Sequence, residues 1–206
     1  ISLTVNFAGP VGQGPITARA RPARTNRSTQ HWWVELLQTD ADGTEQVSTT
    51  ATVVTAARRP TWGASDAAMP TVPAPDGLPR SERGGTPVAW IARYEVRSLQ
   101  GDLPRQWDGQ TADDSLTRWW LRDDPPRPLD FASLTAMADV FFPRVWLKRA
   151  TRVPVGTVSM TVYFHAGSAE LAQVGEGWLL GQAQASAMRN GFFDQRAQLW
   201  SQAGVL

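Results

Sequence analysis

A carboxylate set among hydrophobic residues is the first group in this 206-residue chain that invites chemistry. Asp139 follows Met137 and Ala138 and precedes Val140, Phe141 and Phe142. An acid with such neighbours is expected to be partly desolvated. Desolvation disfavours the ionised form, raises the pKa and moves the group toward the range useful to a general base near neutral pH. Pro143, four positions on, has no N–H for the carbonyl of residue 139, so a helix running through it should bend or open there. The bland alternative is that Asp139 points to solvent between core positions. Farther along, Thr157, Ser159 and Thr161 alternate with Val158, Met160, Val162 and Phe164, which puts hydroxyls on one face of a strand. A hydroxyl there can orient water or donate to an oxygen that gains charge. Threonine is also what β propensity alone selects, and a register shifted by two would give Ser159 the place of Thr157.

Other hydrolytic designs find less support. No Gly-x-Ser-x-Gly elbow occurs, and the only histidines, His31 and His165, fall on or at the edge of strands, so a Ser-His-Asp triad is poorly supported. His165 reads as a structural residue or a base, and His31, beside Trp32 and Trp33, as core or interface. The absence of cysteine removes disulfides, thiolate metal sites and a cysteine nucleophile. No His, Asp and Glu cluster at ligand spacing and no Gly-rich phosphate loop is present, so neither metal nor other cofactor is expected. A carboxylate acting on water remains. The formal charge of +1 gives no reason to expect nucleic acid as a partner. Lys148 is the only lysine; arginines such as Arg118, Arg122, Arg144 or Arg149 are able to hold phosphates, with no pattern that singles one out.

These groups need elements to place them. Leu3, Val5 and Phe7 alternate with Ser2, Thr4 and Asn6, the period of a half-buried strand. "ITARARPART", "HWWVELLQTD" and "EQVSTTATVVT" continue as strands, with Asp42-Gly43 at a hairpin tip. Between residues 56 and 87, Pro60, Pro70, Pro73, Pro75, Pro79 and Pro87 deny regular helix and central strand, and the segment reads as a loose connector. "VAWIARYEVRSL" and "DSLTRWWLRD" are strand-like. One helix is expected over "FASLTAMADVFFPRVWLKR", with Asp130 as N-cap and Lys148 and Arg149 near its C-terminal end. "TVSMTVYFHA", "GWLLGQAQASAM" and "FFDQRAQLWSQ" complete the strands. No apolar run is long enough for a membrane span and no signal peptide is evident, which leaves the cytoplasm as the default expectation.

The chain also repeats itself. "SLTVNF" at Ser2–Phe7 returns as "SMTVYF" at Ser159–Phe164, and "VELLQTDADG" then faces "AQLWSQAG" after a longer second connection. Two copies of one strand order imply a duplicated fold: residues 1–56 as a first copy, 57–87 as a Pro-rich linker and 88–206 as a second. The sequence opens inside one strand pattern and stops where another begins, so the natural protein is expected to extend beyond both ends, with a last strand of the second copy outside it.

"ADVFFPRVW", "TVSMTVYFH" and "LWSQAGVL", in that order and spacing, resemble the type II acyl-CoA thioesterases of the double hot-dog superfamily. The resemblance implies an α+β double hot-dog fold, two antiparallel sheets each wrapping a helix, and hydrolysis of acyl-CoA to a fatty acid and free CoA. It implies a site in the second copy: an aspartate matching Asp139, a threonine matching Thr157, and a glutamine that would fall several residues beyond Leu206. The fold it implies is expected to pair further into a homo-oligomer, dimer or higher; of the ten tryptophans, which include the pairs Trp32-Trp33 and Trp119-Trp120, some are able to line an acyl channel and most are expected in ordinary core or subunit contact. Two rivals stand beside it. A non-catalytic acyl-CoA-binding protein would tolerate loss of the glutamine, and a hot-dog hydratase or dehydratase would place a histidine near the helix, where this chain has none.

Overall fold

Alternation in the N-terminal sequence becomes a sheet with two unlike faces. The computed structural model describes residues 1–81 and 88–206 and divides into two units, Ile1–Trp62 with Val155–His165, and Gly63–Pro154 with Ala166–Leu206. In the first, β1 (Ser2–Phe7), β2 (Thr17–Thr25), β3 (Thr29–Thr39) and β4 (Glu45–Ala56) join the distant β7 (Ser159–Tyr163) in one antiparallel sheet of order β2-β3-β4-β1-β7. The register sets Trp32, Val53, Leu3 and Val162 in one row, and Val34, Ala51, Val5 and Met160 in the next. On the opposite face Arg21, Trp33, Thr52, Thr4 and Thr161 line up. A period of two thus gives one apolar face and one largely polar face, with Trp33 as the exception on the polar side.

The two repeated stretches lie side by side. Thr4 and Thr161, equivalent positions of the repeat, are direct cross-strand partners with hydroxyls 3.1 Å apart. On either side Leu3 faces Val162 and Val5 faces Met160, so a local two-fold axis passes between the threonines. Arg58 secures the end of β7 by donating to the backbone oxygens of His165 (2.7 Å) and Phe164 (2.8 Å).

The second unit holds a four-stranded antiparallel sheet of order β11-β8-β6-β5, from β5 (Tyr94–Gln100), β6 (Thr117–Asp123), β8 (Leu179–Gln184) and β11 (Arg196–Ser201). A short hairpin, β9 (Met188–Arg189) and β10 (Phe192–Phe193), turns at Asn190-Gly191, both with positive φ. The β8–β11 pairing copies β2–β3: Thr17 opposite Leu37 becomes Leu180 opposite Trp200. The expected single helix is two, α1 (Phe131–Ala138) and α2 (Arg144–Arg149), parted at Asp139–Pro143. Asp130 caps α1 as its sequence suggests, accepting from the Ser133 N–H at 2.7 Å. Two local expectations change. Ala89–Arg93, read as strand, is a 3-10 turn, and the connection after β7 contains a helix, α3 (Ser168–Val174), whose Glu170 accepts from the Gly167 N–H at its start.

Consecutive tryptophans point to opposite faces of this sheet. Trp119, with Val96, Leu121, Leu179 and Ala183, packs under Met137, Val140, Phe141 and Leu171. Trp120 joins Trp178, Leu180 and Trp200 on the other face, covered by Ala67, Met69, Val72 and Leu78. The Pro-rich segment is therefore no loose connector over residues 67–78. The Trp120 indole donates to the Pro73 carbonyl (2.8 Å), the Trp200 indole to that of Ala67 (3.4 Å), and Arg97 to those of Pro75 and Leu78. Prolines suit such a strap because they keep a carbonyl acceptor and bring no N–H that burial would leave unsatisfied. Among the described residues no helix is long and apolar enough to cross a membrane.

Close packing at one point fixes a residue type. A Cβ on Gly181 would come within 2.6 Å of Phe141 Cζ and 2.9 Å of Leu121 Cδ2. Gly181→Ala should destabilise the fold by about 1–3 kcal/mol through overpacking, read as a lowered urea midpoint with an unchanged m-value.

Candidate functional site

Where α1 ends, the backbone tightens before it leaves the helix. The N–H of Asp139 donates to the Ala136 carbonyl (3.1 Å) and that of Val140 to Met137 (3.3 Å), a final 3-10 turn. Asp139 is the C-cap, with φ −105° and ψ 8°. Beyond it Val140 and Phe141 are buried in the core. Trp119 receives both phenylalanines, Phe141 stacked at 5.3 Å between centroids and Phe142 tilted at 5.5 Å.

Arg144 closes this segment from below. Its side chain is fully buried, and Nε (3.0 Å) and Nη2 (2.5 Å) both donate to the Phe142 carbonyl. Nε also meets Gln195 Oε1 (3.2 Å), and Nη1 reaches the Ser115 carbonyl (3.2 Å) and the Thr117 hydroxyl (2.5 Å). Gln195 in turn donates to the Phe141 carbonyl at 3.4 Å. Burial lowers the Arg144 pKa to about 10. Of the arginines named as able to hold phosphates, Arg144 is thus committed wholly to the interior. Arg122 pairs with Glu95 and lies over the Trp178 ring, and Arg118 donates to Gln182.

Asp139 differs from the other acids around α1. Asp123 accepts from Ser133, Asp124 from Arg80, and Asp130 caps the helix and pairs with Arg127. Among the described residues no hydrogen bond or ion pair reaches the Asp139 carboxylate. Its residue keeps exposed surface, while the crowding of its carboxyl by surrounding protein raises its pKa. Its charge is felt by Tyr94 at the start of β5, whose phenol is pushed up first by burial, then by Asp123 and Asp139.

Thr157 belongs to the other unit. It is exposed and stands two residues before β7, which begins at Ser159 and is shorter than expected, although the Phe7 N–H still donates to the Val158 carbonyl at 3.0 Å. Ser159, opposite Asn6, is exposed as well. His31 and His165 are both exposed, so neither is a core histidine. Sequence reasoning missed Gln195 and the role of Arg144. The available signal was an arginine directly after the helix-opening proline. A cavity of about 210 Å³ also lies in the second unit, lined by Leu129, Leu134, Leu171, Val174, Leu179 and Leu199 among others.

Residues 64–206 match the family described as acyl-CoA thioesterase C-terminal domain, and residues 1–56 the acyl-CoA thioesterase N-terminal domain. No curated protein matches the chain. Among solved structures, a conserved protein of unknown function with a hot dog fold from Alicyclobacillus acidocaldarius is 43% identical, with a TM-score of 0.89 over 99% of this chain and 73% of that one. An acyl-CoA thioesterase II from Mycobacterium marinum is 20% identical, with a TM-score of 0.73 over 99% and 75%. The two antiparallel sheets and their few helices form an α+β double hot-dog fold.

The raised pKa of Asp139 has a sign that stability measurements read. A folded-state carboxyl above its unfolded value favours the protonated form, so its stabilising effect is present at low pH and lost as pH rises through the folded pKa. Asp139→Asn should therefore melt at a higher temperature than wild type at pH 7, with the difference vanishing below the unfolded value of about 3.9.

Proposed function

The chain belongs to the acyl-CoA thioesterase family, and we propose on that footing that Asp139 orients or activates the water that attacks the thioester, with Thr157 assisting. The observation that carries this reading is the Asp139 carboxylate itself: raised in pKa by burial, with no cation or donor among the described residues to hold it. A paired carboxylate would be a weaker base, because its partner stabilises the ionised form. Asp139 draws a proton from water as the new C–O bond forms. The thioester oxygen gains charge, the C–S bond breaks as the intermediate collapses, and the proton that Asp139 took from water passes to the sulfur, so that CoA leaves as the thiol. Fatty acid and CoA are the products. The Thr157 hydroxyl, exposed at the approach to β7, supplies a donor for water or the developing oxyanion. Apolar walls such as those of the cavity in the second unit suit a hydrocarbon chain.

The same reading includes a cytoplasmic protein of fatty acid metabolism that works as a homo-oligomer, a point that sedimentation velocity on the full-length protein decides. Thiol release from a panel of acyl-CoAs tests the chemistry. Asp139→Ala should lower kcat by about 10²–10⁴, and Thr157→Val by about tenfold, as the loss of one supporting hydrogen bond. Wild-type kcat/KM should rise with pH through a value above the ordinary aspartate range. Equal rates for wild type and Asp139→Ala would remove this mechanism.

A further inference from the structure

The geometry points to Arg144 as a positioning residue for Asp139: its guanidinium holds the opened backbone between α1 and α2 by carbonyl oxygens and makes no bond to the carboxylate five positions before it. This inference rests on Asp139 being the base.

The need for such a clamp comes from the chain itself. Pro143 offers no N–H, and the helix parts before it, so the carbonyls of Phe141 and Phe142 have no partner within a helix. Arg144 takes the Phe142 oxygen with two N–H groups, and Gln195 takes that of Phe141. The other edge of the guanidinium reaches Thr117, the first residue of β6, and Ser115, two residues before it. The planar fork ties the break to the sheet in two directions at once, which a single ammonium on a flexible stem does not reproduce. The Phe142 ring packs under the same guanidinium at 4.2 Å.

What Arg144 does not touch is equally informative. A buried cation is commonly answered by an anion, and Asp139 stands only five positions away, yet among the described residues the five hydrogen bonds of Arg144 all go to neutral oxygens. Desolvation raises the pKa of Asp139, and among the described residues no hydrogen bond or ion pair offsets it. An arginine aimed at the carboxylate would have fixed it equally well and weakened it as a base. Aimed at the carbonyls, it fixes the backbone that carries Asp139 and leaves its basicity intact.

The test combines kinetics with a readout that needs no activity. In full-length protein, Arg144→Lys keeps the charge and loses the fork. Hydrogen exchange of peptides covering residues 139–143 should quicken by about tenfold or more while the sheet keeps its protection. In the acyl-CoA assay kcat should fall by up to about a hundredfold with KM within about threefold. If Arg144→Lys does not fold, Gln195→Leu, which keeps the guanidinium on the Phe142 carbonyl but removes one of its acceptors and frees the Phe141 carbonyl, should show the same pattern at smaller amplitude. Unchanged exchange at 139–143 in a folded variant, or a loss carried by KM, overturns the inference. If Asp139→Ala hydrolyses as fast as wild type, the assignment of the base falls instead, and exchange alone then decides whether Arg144 holds this backbone.

Discussion

A positive charge buried with no counter-ion among the described residues must be held by dipoles, and in the C-terminal unit that requirement settles the backbone where two helical segments part. The Arg144 guanidinium needs oxygens, and the opened turn after Asp139 supplies them because Pro143 cannot. With the Phe142 carbonyl drawn to Arg144, the rings of Phe141 and Phe142 both come to rest on Trp119. Phe141 in turn leaves room for nothing larger than glycine at position 181 in the neighbouring strand. A chain of contacts therefore runs from one cation to the sheet floor, and Asp139 is the first residue above it.

Each unit resolves the problem of a two-faced sheet differently. In the first, side chains that are polar apart from Trp33 make the row from Arg21 to Thr161 on one face. In the second, both faces are apolar, and the strap at residues 67–78 covers the one that the helices leave. Two indole donors and one guanidinium, each aimed at a strap carbonyl, make that cover specific as well as hydrophobic.

Much of this was legible in the sequence, for physical reasons that also explain the rest. Strands of the first unit could be read because alternation is a local property, and the repeat could be read because a displaced copy carries its own register. Pro143 announced the opening of the helix through the N–H it lacks, and the apolar neighbours of Asp139 announced the direction of its pKa. The strap could not be read, because its order depends on indoles 47 and 133 positions away. Nor could the task of Arg144, whose acceptors at Ser115, Thr117 and Gln195 lie 29, 27 and 51 positions away. α3 is a seven-residue helix, too short for a periodic pattern to declare itself. Thr157 was placed inside a strand because residue types do not mark where pairing stops.

The threonine pair at the centre of the repeated strands has a consequence for the history and the physics of the chain. A strand that pairs with its own copy about a two-fold axis is what a symmetric dimer of a single-copy ancestor would present. In such a dimer the central residue meets itself, so it must be self-compatible: a charge there would face an identical charge. Threonine satisfies that condition, each hydroxyl serving as donor or acceptor to the other. Joining the copies in one chain turns a second-order encounter into an intramolecular one, so this pairing no longer weakens on dilution. Residues off the axis are then free to diverge, as Asn6 and its repeat counterpart Tyr163 already have, while the axial position still answers to itself.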